Sequence, residues 1–109
     1  MVTGKIIRAQ QRAIESLKGE LLKLCSHGEL RIPIYIPRGS DAEGYKYDEF
    51  WGDGIIYEDM LLDKPSCCIE CYTGDEYLFN YEITWAQLLN AGETTNPLTG
   101  LKHIQLTNS

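Results

Sequence analysis

The sequence predicts an α+β fold: a long N-terminal amphipathic helix packed on a curled antiparallel sheet of about five strands, with a short helix near residues 84–91. Three patterns point there. Residues 5–26 repeat apolar side chains at helical spacing. Several later segments alternate apolar and polar residues at a period of two. Turn residues separate those segments at short intervals, too short for helical crossovers between parallel strands.

In the first segment, Ile7, Ile14, Leu17, Leu21 and Leu24 occupy heptad a and d positions, with Gln10 in the remaining slot. Ile6, Ala13, Leu22 and Cys25 widen the stripe, which suits packing on a sheet. Thr3 is a candidate N-cap and Gly28 a candidate stop. Gly19 inside the helix suggests a close approach to another element.

Leu30, Ile32, Ile34 and Ile36 alternate with Arg31, Pro33, Tyr35 and Pro37, which predicts a half-buried strand. Pro33 donates no ladder hydrogen bond, so the strand is expected at an edge or at a bulge. Residues 38–44 read as a polar, mobile loop. Tyr45, Tyr47 and Trp51 suggest a second strand, Gly52-Asp53-Gly54 a tight turn, and Ile55–Leu62 a third strand. Asp63-Lys64-Pro65-Ser66 reads as another turn. Cys67–Thr73 and Tyr77–Ile83 form the clearest hairpin, turned at Gly74-Asp75.

Thr84 can cap a short helix over residues 85–91, with Gly92 behind it as C′. Residues 93–100 read as a loop and Leu101–Leu106 as a last short strand. A helix leading into five bent strands resembles the small Sm-type barrels in outline, a likeness of shape that implies no function.

The chain has 109 residues and reads as a single domain, 1–109. No segment approaches the ~20 apolar residues of a membrane span, and no secretory leader is visible, so the expected setting is the cytoplasm without membrane partners. The four cysteines, three of them clustered at 67, 68 and 71, are expected as reduced thiols.

The net charge of −6 is unevenly distributed. Residues 1–40 carry seven basic and three acidic side chains. Residues 41–82 carry twelve acidic and two basic ones, and residues 83–109 balance. An acidic centre repels phosphate backbones, which disfavours nucleic acid there, and it attracts basic proteins.

Motifs for chemistry are sparse. Cys25, His27, Cys68 and Cys71 form a weak zinc set, because Cys68 and Cys71 sit in a strand where residues three apart face opposite ways. A redox C-x-x-C normally opens a helix, which this pair does not. Adjacent acids such as Glu58-Asp59 diverge on a strand, and neither His27 nor His103 lies in a hydrolase motif. No catalytic residue and no cofactor are therefore expected.

What remains is an aromatic set interleaved with acids. The expected function is a non-catalytic protein-binding module, of the inhibitor, immunity or phage-antagonist kind, that engages a basic partner. Its expected contacts are Tyr45, Tyr47, Asp48, Glu49, Trp51, Asp53, Glu58 and Asp59. One alternative is a small-ligand domain with a pocket between helix and sheet, where Arg31, Tyr35 and Arg38 contact an anionic metabolite or nucleotide. Another is a structural component, monomeric or homodimeric, assembled through residues 5–26.

Overall fold

The computed structural model describes residues 2–37 and 49–106. The helix expected over 5–26 is α1 (Val2–Leu24) and already includes Thr3. It does not end on a glycine C′. Instead Ser26 and Glu29 exchange backbone hydrogen bonds of 2.8 and 3.2 Å around His27 and Gly28. Both central residues have positive φ, 56° and 81°, as a type I′ turn requires. Gly19 has open space where a Cβ would lie, so it marks no close approach.

Strand β1 (Glu29–Ile36) follows, then β2 (Phe50–Tyr57). The expected tight turn at Gly52-Asp53-Gly54 is not a turn, because all three residues pair with β1 inside β2. The glycines serve packing. A Cβ on Gly54 would lie 2.6 Å from Ile69 Cγ2 and 3.1 Å from Ile34 Cδ1. The expected third strand, 55–62, is split. Its first half completes β2 and its second half is helix α2 (Glu58–Asp63), whose first turn carries Glu58 and Asp59. Acids at a helix N-terminus are favourable, and this local preference overrides the strand pattern. Most of the expected Tyr45–Trp51 strand and all of loop 38–44 lie outside the described residues.

The hairpin of β3 (Ser66–Thr73) and β4 (Glu76–Thr84) forms as expected, with Gly74 at φ 60° and a bulge at Cys71/Tyr72. Thr84 caps α3 (Trp85–Leu89) through a reciprocal box: Thr84 Oγ1 accepts from Gln87 N at 3.0 Å, and Gln87 Oε1 accepts from Thr84 N at 2.8 Å. Asn90 closes this helix, so Gly92 is not its C′ residue; Gly92 opens β5 (Gly92–Thr95), in the segment expected as loop. β5 pairs antiparallel with β6 (Lys102–Gln105).

The sheet order is β4-β3-β2-β1-β6-β5, and the sheet is open rather than barrel-like. Among the described residues it has six strands, against about five expected, and it is mixed rather than wholly antiparallel because the β1–β6 pair is parallel. β1 is therefore interior, contrary to the edge placement expected from Pro33. The β6 register covers only Ile34 and Tyr35, so the ladder on that side starts just beyond the proline. Leu106 N extends it by donating to Tyr35 O at 2.9 Å.

The three helices among the described residues pack on one face. Ile34, Ile36, Phe50, Ile56, Cys67, Ile69, Cys71, Phe79, Tyr81 and Ile83 form the core there with Leu61, Trp85, Leu88 and Leu106. Ile14, Leu17, Leu21 and Leu22 of α1 lie against that core. Among the described residues, no helix is long and apolar enough to cross a membrane.

Candidate functional site

Period-two alternation sends the other half of each strand to the face that none of the described helices covers. Across the paired registers this face holds Glu29, Arg31 and Tyr35 from β1, Trp51, Asp53 and Tyr57 from β2, Cys68, Glu70 and Tyr72 from β3, and Glu82 from β4. His103 of β6 joins them, with its ring edge against Trp51 at 5.2 Å between centroids.

The face is tiled with interlocked groups. Tyr35 and Trp51 are directly opposed across β1 and β2, their ring centroids 4.1 Å apart. Both donate to the Glu49 carboxylate, Tyr35 Oη at 2.8 Å and Trp51 Nε1 at 3.3 Å. Tyr57 Oη and Tyr72 Oη both donate to Glu70 Oε1, at 2.7 and 3.1 Å. Arg31 donates to Asp53 Oδ2 from Nε at 3.1 Å and from Nη2 at 3.0 Å, and also to Gly74 O. Its guanidinium lies 5.8 Å from the Tyr72 ring. Ser66 Oγ donates to Glu82 Oε1 at 2.9 Å.

These contacts hold the phenols protonated. The hydrogen bond to Glu70, with desolvation, pushes the Tyr57 hydroxyl well above its ordinary range. The hydrogen bond to Glu49, followed by desolvation, raises Tyr35. For Tyr72 desolvation leads and Glu70 adds to it. A phenol that donates to a carboxylate fixes its orientation and leaves other lone pairs of that carboxylate to accept. Among the described residues, Glu29, Glu49, Asp53, Glu70 and Glu82 place five carboxylates on this face beside the one guanidinium of Arg31. The Arg31–Asp53 pair is solvated, with side chains 42% and 36% exposed, so it removes one charge without rigidly closing the surface.

Of the expected partner contacts, the structure brings together Glu49, Trp51 and Asp53 on this face. Glu58 and Asp59 depart from it, because they lie on α2 rather than on a strand; Glu58 N donates to Gly28 O at 2.9 Å. Tyr45, Tyr47 and Asp48 lie outside the described residues. Sequence reasoning counts Tyr57 and Tyr72 in the aromatic set but not among the partner contacts, and it misses Glu70. The signal was available: Glu70 and Tyr72 share one parity within Cys67–Thr73, opposite to the apolar Cys67, Ile69 and Cys71.

The expected ligand residues do not line a helix–sheet pocket. Arg31 and Tyr35 are on the helix-free face, and Arg38 lies outside the described residues. A cleft of about 180 Å³ does open between α1, α3 and the sheet, walled by Leu17, Leu21, Ile32, Leu88, Ala91 and Ile104, with Gly92 and Glu93 at its side. Its charged lining residue is an acid, which disfavours the anionic ligand that was expected.

The weak zinc set is not assembled. Cys71 is buried in the core while Cys68 is on the opposite face, and no group of three or more potential metal ligands converges among the described residues. Burial pushes the Cys67 and Cys71 thiols up to about 12. Desolvation, then Glu82 and Glu70, raises Cys68, and desolvation followed by Glu58 raises Cys25. A thiol that resists ionisation is a poor nucleophile and a poor ligand. Compared with known families, curated proteins and solved structures, the chain matches no family model, no curated protein and no solved structure.

Proposed function

We propose that the protein is a non-catalytic binding module, of the inhibitor or antagonist kind, that engages a basic partner protein through the helix-free face of its sheet. One observation carries this reading: an open sheet face on which Tyr35, Trp51, Tyr57 and Tyr72 hold Glu49 and Glu70 in place while no helix covers them. Rigid aromatic side chains bury much area at little entropic cost, and fixed carboxylates favour a cationic partner. The carboxylates are pre-oriented by phenol and indole donors, so little ordering is left for the moment of binding.

The test is affinity capture from the native host with wild-type protein and with Trp51→Ala and Glu70→Gln variants. A basic protein retained by the wild type and lost by both variants supports the reading. An identical set of captured proteins for all three overturns it. Circular dichroism on the variants separates lost binding from lost folding.

A further inference from the structure

The same chain carries a cationic element of its own. All residues of α1 from Lys5 to Arg12 are exposed, and Ile6 and Ile7 are 62% and 50% accessible, so this part of the helix stands clear of the core. Lys5, Arg8, Ala9 and Arg12 line one side of it. No acid precedes Glu15, and the first turn contains none. Lys5 lies in the first turn of α1, where positive charge opposes the macrodipole and is relieved when negative charge approaches.

We infer that the basic arm Lys5–Arg12 docks on the acidic aromatic face of a second copy of this chain. The inference rests on the reading of that face given above and supplies a basic segment, rather than a basic protein, as its occupant. Charge is complementary: three cations on one side of the arm meet a face with five carboxylates and one guanidinium. Size is complementary too. From Lys5 to Arg12 the helix rises about 10 Å. Two strand spacings, from β1 to β3, also span about 10 Å. Ala9 between the cations allows close approach, and arginine stacks well on tyrosine and tryptophan faces.

The contact forms only in trans. α1 packs on the opposite side of the sheet from the acceptor face, so a molecule cannot place its arm on its own face. Arm and face are different surfaces, so the association is head-to-tail and either closes into a ring or extends as a chain.

Sedimentation velocity on the full chain over a range of concentrations tests this. At low salt the wild type should form species larger than a monomer. Dissociation should be complete at about 0.5 M salt, where screening shortens charge interactions to a few Å. Arg8→Glu/Arg12→Glu should weaken association by about tenfold or more. That variant alters only exposed residues, and circular dichroism confirms its fold. Glu49→Gln/Glu70→Gln should weaken association as well. A strictly monomeric wild type at low salt overturns the inference, as does association that persists in the arm variant. So does association abolished by Ile6→Ser/Ile7→Ser but not by the arginine reversals, which would mean symmetric pairing through the apolar side of α1. If the chain is monomeric yet loses a host partner in Trp51→Ala and Glu70→Gln, the inference fails and the reading of the face stands. If host capture is unchanged as well, both fail.

Discussion

Gly54 and Gly19 show how the same residue type answers to opposite constraints. A Cβ at Gly54 would press on Ile69 and Ile34, both fully buried, so the strand interior tolerates only glycine there. Gly54→Ala is expected to cost about 1–3 kcal/mol through overpacking. At Gly19 the space is open, and Gly19→Ala is expected to stabilise by about 0.5–1 kcal/mol through helix propensity. Urea unfolding of both variants reads these opposite signs.

The buried thiols also act at this scale. Cys67 and Cys71 ionise near about 8.5 in an unfolded chain and only near about 12 when folded. Between those values the native state binds more protons than the unfolded state, so stability declines as pH rises. It is fully present below about pH 8 and falls by roughly 1 kcal/mol per pH unit per thiol above that. Denaturation between pH 7 and 10.5 should show the decline. Cys67→Ala/Cys71→Ala should flatten it, whatever the absolute loss from the smaller side chains.

At the scale of elements, the chain's local signals succeeded where their partners were near in sequence. The β3–β4 hairpin was legible because Gly74 supplies the positive φ its turn needs and the flanking residues alternate. α3 was legible through Thr84. Thr84→Ala should remove one half of its reciprocal cap and cost about 1 kcal/mol, read as a lower midpoint in thermal or chemical unfolding. The signals failed where a distant strand decided. Gly52-Asp53-Gly54 carries turn chemistry, yet β1 on one side and β3 on the other draw it into extended pairing. Ile55–Leu62 departs from its strand pattern for a local reason, because Glu58 and Asp59 start a helix between its two apolar stretches.

For the whole molecule, the arithmetic of charge along the chain was a partial guide to charge in space. The acidic excess of residues 41–82 is real, but Glu58 and Asp59 go to α2 while Glu29, from the basic first segment, joins the sheet face. What concentrates carboxylates on one side is strand alternation combined with helices on the other side alone. Binding through this face should weaken steeply as salt rises. Isothermal titration at several ionic strengths against a captured basic partner would show a falling association constant, and a flat profile would contradict electrostatic docking.

Local pattern specifies α1, the alternating β1, the β3–β4 hairpin and the capped α3. Each rests on interactions within a few residues or on a repeat that neighbours reinforce. Long-range pairing sets the course of β2 through its glycines, the parallel alignment of β6 with β1, and the meeting of Tyr57, Glu70 and Tyr72 on one open face. The reason is that strand pairing and cross-strand hydrogen bonds join residues far apart in the chain. Their register depends on which side chains fit together in the core, which no local pattern specifies.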